Sequence, residues 1–340
     1  MQKKSNLLVV IAILCFLFIF AFFFHLMSEH PVNAEITSFS PASGTYYPGD
    51  AVISSLYLKN TGSANWTFWI GCSVQDNAGS WYDIPPHSVT LAPGEVSDTQ
   101  SKTWQVPSDP LLTTGSYKVV MTVWKTKPGD ATAIKLANAE KENSFQVYNF
   151  FDDFASFDTN QWSKSSFMLG RTHFEPANID VNNGDLRIKF PANTLNGGEI
   201  ASKDLYKYGT YSARMKLPNA PSSITGFFLY LVPDFYNEID IEIYNDPKGE
   251  VWLSTYANGK LQHTVTKDLG FDPTADFHEY RFDFYPGNVS FYIDGKLMQT
   301  WTDGMTTNSM HLLINAWYPN WLPGIATTSD QYLLVDWIKH

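Results

Sequence analysis

Residues 237–243 read Asn237-Glu238-Ile239-Asp240-Ile241-Glu242-Ile243. Successive side chains of a β-strand point to opposite faces, so Glu238, Asp240 and Glu242 share one face and the three isoleucines share the other. The isoleucines read as core. Adjacent carboxylates repel one another, which costs stability unless the face has a use. Cleavage of a glycosidic bond is such a use. It needs two carboxyls flanking the bond, one as nucleophile or base and one as proton donor. The same run also reads as the solvated face of an ordinary antiparallel strand, so the rest of the chain has to decide.

The elements around this run are all short and β-rich. No convincing amphipathic helix follows Ala34. Residues 278–284 alternate apolar and polar, turn at Pro286-Gly287-Asn288, return over residues 289–293 and turn again at Asp294-Gly295. That is a meander of hairpins. No long strand–helix–strand repeat occurs, so a parallel sheet is not expected and an antiparallel jelly-roll sandwich is expected from residue 149 to 340. Residues 35–148 read as a separate sandwich. They contain a strand over 52–58, turns at Asn60-Thr61-Gly62 and Leu91-Ala92-Pro93-Gly94-Glu95, and a long strand over 116–124. No cluster of polar residues there calls for chemistry. The region reads as a spacer or interaction module, with carbohydrate binding through Trp66, Trp69 or Trp81 as the alternative.

The 340-residue chain is long enough for two domains, and its formal charge of -11 with no basic stripe argues against nucleic acid as a partner. Aromatic residues make up 16% of it, which suits surfaces on which the apolar faces of sugar rings can rest. Cys15 lies in an N-terminal apolar run, which leaves Cys72 alone outside it, with neither a disulfide nor a zinc-type cluster available. Lys3 and Lys4 precede that run over residues 7–27, and Val32-Asn33-Ala34 follows as a small-residue cleavage pattern. Residues 1–34 are therefore a cleaved signal peptide or an uncleaved membrane anchor. Either places the remainder outside the cytoplasm, secreted or at the cell surface. A monomer is expected.

Residues 150–340 resemble glycoside hydrolase family 16, and within it the bacterial licheninase branch of β-1,3-1,4-glucanases. The resemblance rests on several motifs in order. Phe150-Phe151-Asp152-Asp153-Phe154 with Trp162 comes first, then Gly184-Asp185-Leu186-Arg187-Ile188. Tyr208-Gly209-Thr210-Tyr211, Arg214-Met215-Lys216 and Gly226-Phe227-Phe228-Leu229-Tyr230 precede the acidic strand. Tyr256-Ala257-Asn258-Gly259, His263, Phe277-His278-Glu279-Tyr280, Asn315-Ala316-Trp317 and Val335-Asp336-Trp337-Ile338 follow it. Residues 35–148 resemble an immunoglobulin-like accessory domain.

The family resemblance implies that Glu238 is the nucleophile, Glu242 the acid/base and Asp240 the assisting carboxylate, with no cofactor needed for catalysis and a β-glucan-type polysaccharide as substrate. The Cα atoms of Glu238 and Glu242 are roughly 13 Å apart on an extended strand. A retaining pair needs carboxyls about 5–5.5 Å apart, so the strand has to bend concavely and the side chains have to lean together. Crowding then raises the pKa of the less stabilised glutamate and keeps it protonated. The unbroken Glu-x-Asp-x-Glu spacing resembles licheninases and transglycosylases rather than laminarinases, which carry one more residue before the last glutamate.

The resemblance places Glu199, Phe228, Tyr230, Tyr236, Tyr256, Asn315 and Trp317 in the substrate cleft. Trp317 is the best stacking platform, with a buried structural role as its alternative. Tyr236, Ser254 and Ala201 stand where licheninases carry tryptophan, asparagine and arginine. Residues 165–170 lack their tyrosine–asparagine loop and carry Phe167 and Leu169 instead. These departures leave the exact glucan open. His263 and His278 read as structural hydrogen-bonding residues. A structural calcium, as in many family members, would take the carbonyls of Asp153 and Gly184 and the side chain of Asp336, unless Asp336 only caps the last strand. The resemblance thus implies a retaining endo-glycosidase. A transglycosylase of the same fold and a non-catalytic carbohydrate-binding or adhesion protein are the alternatives.

Overall fold

The computed structural model describes residues 31–233 and 235–340. The apolar segment and its lysines lie outside the described residues. Among the described residues no helix is long and apolar enough to cross a membrane.

The first half contains strands β1 (Ala34–Ser40), β2 (Thr45–Tyr46), β3 (Ala51–Asn60), β4 (Trp66–Gln75), β5 (Trp81–Leu91), β6 (Gln100–Gln105), β7 (Gly115–Trp124) and β8 (Lys135–Val147). They form a three-stranded sheet, β1-β3-β6, and a five-stranded sheet, β2-β8-β7-β4-β5. Alternate positions of β3, β4 and β7 are buried, including Leu56, Leu58, Phe68, Ile70, Tyr117 and Val119. The period of two seen in the sequence is the mark of sheets with one face in a core. The fold takes hold at the edge of the expected leader. The carbonyl of Asn33 accepts from Thr61 and Gly62, and that of Pro31 accepts from Ser63.

The second half runs β9 (Phe151–Asp152), β10 (Trp162–Lys164), β11 (Met168–Leu169), β12 (Thr172–His173), β13 (Ile179–Asn182), β14 (Asp185–Phe190), β15 (Gly198–Ser202) and β16 (Gly209–Lys216). It continues with β17 (Ile224–Leu231), β18 (Asn237–Tyr244), β19 (Glu250–Ala257), β20 (Lys260–Asp268), β21 (His278–Tyr285), β22 (Asn288–Ile293), β23 (Lys296–Trp301), β24 (His311–Trp317) and β25 (Gln331–Lys339). A single 3-10 turn at Pro176–Asn178 is the one helical element among the described residues. Two large sheets result. One has the order β10-β15-β24-β17-β18-β19-β20. The other has the order β13-β14-β25-β16-β21-β22-β23, with β9 added on β25. The hairpin β19–β20 turns on Asn258 and Gly259, both at positive φ, as a two-residue turn of this hand demands.

The core lies between these sheets. Ile239, Ile241 and Ile243 are fully buried there with Phe227, Leu229 and Leu253, facing Tyr211, Phe282, Phe291 and Val335 from the other sheet. Burying each of these side chains contributes about 1.5–3 kcal/mol, which holds β18 against the core and turns its acids the other way. The acidic strand is therefore central, with neighbours on both sides.

The two halves meet at one end of the second sheet, away from the acids. The His340 ring stacks on Tyr211 at 3.8 Å and its Nδ1 lies 3.1 Å from Thr114 Oγ1. Thr210 donates its N–H to Thr114 Oγ1, and Tyr285 donates its hydroxyl to the Thr114 carbonyl. Burial pushes the His340 imidazole down to about 3.

Candidate active site

Strand β18 pairs with β17 and β19 in unbroken register. Residues directly opposite in an antiparallel pair share a face. The register therefore sets out a grid on the open face of the seven-stranded sheet. Tyr230 and Tyr256 flank Glu238. Phe228 and Ser254 flank Asp240. Gly226 and Trp252 flank Glu242. Beyond Gly226 the last row continues to Asn315 on β24 and Glu199 on β15. These side chains line a cleft of about 320 Å³, together with Phe167, Leu169, Phe235, Leu313, Trp317 and Trp321.

The three acids occupy different surroundings. Glu238 is 8% exposed and its Oε1 accepts the backbone N–H of Phe235 at 2.8 Å. Asp240 is buried and accepts the Ser254 hydroxyl at 2.7 Å. Glu242 is pushed up to about 7, first by burial and then by the charge of Glu238. That second cause places the two glutamates within electrostatic reach of each other. One carboxylate accepts a backbone donor while the other keeps a proton near neutrality, which suits the division between a nucleophile and a proton donor. Both belong to one interacting set, so their protons come off as a pair.

Glu199 is buried and held by Ser165 Oγ at 2.6 Å and Asn315 Nδ2 at 3.1 Å. Burial raises its pKa and these two hydrogen bonds oppose the rise. The Oδ1 of Asn315 is buried without a hydrogen-bond partner, beside Gly226. A β-carbon on Gly226 would lie 2.7 Å from it and 3.2 Å from the Phe228 ring, so only a glycine lets Asn315 and Phe228 pack this closely beside Glu242.

Most of the residues expected in the cleft are brought together there: Glu199, Phe228, Tyr230, Tyr256, Asn315 and Trp317. Trp317 takes both of its readings, since it lines the cleft yet is only 8% exposed and packs on Phe174 and Ile224. Tyr236 is a correction. It does not line the cleft; Phe235 does. The chain turns at this point, with Phe235 at φ 58° and the Tyr236 N–H bonded to Pro233 O. That turn rotates Tyr236 toward the β19–β20 hairpin, where its carbonyl accepts from Gly259. A strand-parity argument cannot see a left-handed residue just before the strand starts.

The sequence reading missed Trp252, Trp321 and Leu313. Trp252 was within reach of it, because a residue four positions before Tyr256 on one strand shares its face. His263 and His278 lie outside the cleft. His263 Nε2 is 2.9 Å from Asp303 O, and His278 Nδ1 is 2.7 Å from Asp294 Oδ2. The tryptophans of the first half do not form one surface. Trp66 donates to Lys125 O, Lys127 sits over Trp69, and Trp81 lies opposite Gln75 at the other end of β4.

Of the groups named for calcium, the Asp336 side chain is already bound by the Arg214 guanidinium, which supplies the positive charge. Among the described residues no group of three or more His, Cys, Asp or Glu side chains is placed to hold a metal.

Comparison with known proteins agrees with this geometry. The family model described as "Glycosyl hydrolases family 16" matches residues 170–339. A beta-glucanase of Bacillus subtilis is 30% identical over 207 residues, which cover 56% of this chain and 86% of that protein. A beta-glucanase of Paenibacillus polymyxa is 29% identical over 206 residues, covering 56% and 87%. Among solved structures, the Bacillus licheniformis beta-glucanase matches with a TM-score of 0.52 and 25% identity, covering 56% of this chain and 96% of that one. A prokaryotic beta-1,3-1,4-glucanase (lichenase) from a mouse hindgut metagenome matches with a TM-score of 0.51 and 25% identity, covering 56% and 97%.

Proposed function

Because the chain belongs to glycosyl hydrolases family 16, we propose that its cleft cleaves internal bonds of a β-glucan by double displacement, with retention of configuration. The observation that carries this is the row Glu238, Asp240, Glu242 on an unbroken central strand, with Glu242 pushed up to about 7. In the first step a Glu238 oxygen bonds to the anomeric carbon as the glycosidic bond breaks. The proton of Glu242 passes to the leaving oxygen. In the second step water attacks the same carbon, its proton passes to Glu242, and the bond to Glu238 breaks. Asp240, fixed by Ser254, lies between them. Asn315 and Glu199 bind sugar hydroxyls, while Tyr230, Tyr256, Phe228 and Trp317 carry the apolar ring faces.

No cofactor takes part, and calcium is no part of this reading, since Asp336 is committed to Arg214. We take a mixed-linkage β-1,3-1,4-glucan as the substrate, from the beta-glucanase and lichenase relatives. The enzyme acts as a monomer outside the cytoplasm, tethered by residues 7–27. Retention of that segment is favoured because cleavage after Ala34 would remove the Pro31 and Asn33 carbonyls that Ser63, Thr61 and Gly62 bond to.

Digestion of lichenan, laminarin, xyloglucan, agarose and carrageenan, with proton NMR of the earliest products, tests this reading. Lichenan should be cleaved, with the β-anomer appearing first. An initial α-anomer, or no cleavage of any β-glucan, would overturn it.

A further inference from the structure

The row through Glu242 is asymmetric. On one side stand Gly226, which has no side chain, and then the hydrogen-bonding groups of Asn315 and Glu199. On the other side, directly opposite Glu242, stands Trp252. This tryptophan is held firmly. Its Nε1 bonds Thr264 Oγ1. The Trp321 ring meets it edge-on at 5.9 Å and 80°, and Trp321 is itself hydrogen-bonded to Tyr244 and packed edge-on against Trp317 at 5.4 Å. Trp321 is 52% exposed, so this corner opens to solvent. None of these contacts is needed for the two chemical steps given above.

We propose that Trp252 is the platform for the saccharide on the leaving side of the scissile bond, and that it seats an acceptor saccharide once the first product has left. The inference rests on the reading of Glu242 as proton donor. The sugar under attack has to lie between the two carboxylates, on the side where Gly226 leaves no side chain next to Glu242, with its hydroxyls toward Asn315 and Glu199. The leaving saccharide hangs from the oxygen that Glu242 protonates. The surface next to Glu242 on that side is the indole of Trp252. A pyranose ring has an apolar face of C–H groups, and a rigid indole held by a neighbour covers it at small entropic cost.

Two fates then compete for the glycosyl–enzyme. Water can attack, or a hydroxyl of a saccharide resting on Trp252 can do so. In the second case the acceptor oxygen bonds to the anomeric carbon, the bond from that carbon to Glu238 breaks, and the hydroxyl proton passes to Glu242. Atoms and charge balance without a further reagent. Holding the acceptor beside the reacting carbon raises its effective concentration far above that in solution. The platform therefore sets the partition between transfer and hydrolysis.

The test uses the full chain, a nitrophenyl β-glycoside of a mixed-linkage glucan oligosaccharide as donor, and cellobiose as acceptor. The readout is the ratio of transfer product to hydrolysis product at equal nitrophenol release, which does not depend on how much active protein is present. The native chain should transfer. Trp252→Ala should lower the ratio about tenfold or more, and Trp252→Phe, which keeps a ring, should retain most of it. Trp252→Thr serves if the alanine chain does not fold, since threonine suits a strand beside Thr264 and Thr266. An unchanged ratio in Trp252→Ala or Trp252→Thr would overturn the platform and leave the glycosidase reading intact. So would an equal loss in Trp252→Phe, because that would mark a merely structural role. Absence of nitrophenol release by the native chain would overturn both.

Discussion

Glu238 and Glu242 are chemically identical, but their surroundings differ. A backbone N–H faces Glu238, whereas burial and the neighbouring charge hold the proton on Glu242. Two consequences follow from a carboxyl raised from 4.5 to about 7. The proton donor is lost as the pH rises through about 7, so kcat/KM on polysaccharide should fall about tenfold per pH unit above that value in a pH–rate profile. For stability the sign is the same. Relative to the unfolded chain, Glu242 contributes stability fully below about pH 4.5 and loses it as the pH rises through about 7. Glu242→Gln stays neutral throughout. It should therefore be more stable than the native chain at pH 8, by up to about 3 kcal/mol, and lose that advantage by pH 5, as read by urea denaturation. The acids and the isoleucines behind them were legible in the sequence because a period of two assigns faces without knowledge of the fold. Ser254 and Ser165 were not, since nothing in their spacing says which carboxylate each one bonds.

At the scale of the strand, what matters is that β18 carries its acids through a continuous ladder with β17 and β19. The ladder converts sequence spacing into cross-strand rows, and Gly226 is the position where the row through Glu242 has no side chain. Gly226→Ala would bring a β-carbon to 2.7 Å from Asn315 Oδ1 and 3.2 Å from the Phe228 ring. The amide has to move, and Glu199 loses a partner with it. Steady-state assays should give kcat/KM at least about tenfold lower, or about 1.4 kcal/mol of transition-state stabilisation lost, with an unaltered far-UV circular dichroism spectrum. Activity equal to that of the native chain would show that the placement of Asn315 beside Gly226 is not used. Strands and hairpin turns could be read from alternation and from Asn-Gly and Asp-Gly pairs. The swap of Phe235 for Tyr236 could not, because a single left-handed residue ahead of the strand decides which ring enters the cleft.

At the scale of the molecule, the first half contacts the sheet opposite the cleft sheet. Thr114 bonds Thr210, Tyr285 and His340, all of which lie on or beside β16, β21 and β25. No periodicity records which surfaces of two sandwiches meet, so this contact was not legible beforehand. A chain that begins at Asn149 should therefore keep kcat/KM on soluble β-glucan within about twofold. It should melt earlier, because at least six hydrogen bonds between the halves, worth about 1 kcal/mol each, are lost, a shift on the order of 12–24 °C. Thermal denaturation and initial rates on the same preparation check both parts. A folded chain with greatly reduced activity would mean that the first half reaches the cleft.

The central claim is that Glu238 forms the covalent bond and Glu242 moves the proton. It is tested most directly by azide rescue of Glu238→Ala and Glu242→Ala on an activated aryl β-glycoside, with the configuration of the glycosyl azide read by proton NMR. Both variants should lose turnover of polysaccharide, Glu238→Ala by on the order of 10⁴-fold or more. In Glu238→Ala azide occupies the vacated space and attacks the substrate once, which gives the α-azide. In Glu242→Ala the glycosyl–enzyme still forms, because an activated leaving group needs no proton, and azide then displaces Glu238 to give the β-azide. The same anomer from both variants, or substantial polysaccharide cleavage by Glu238→Ala, would contradict the assignment.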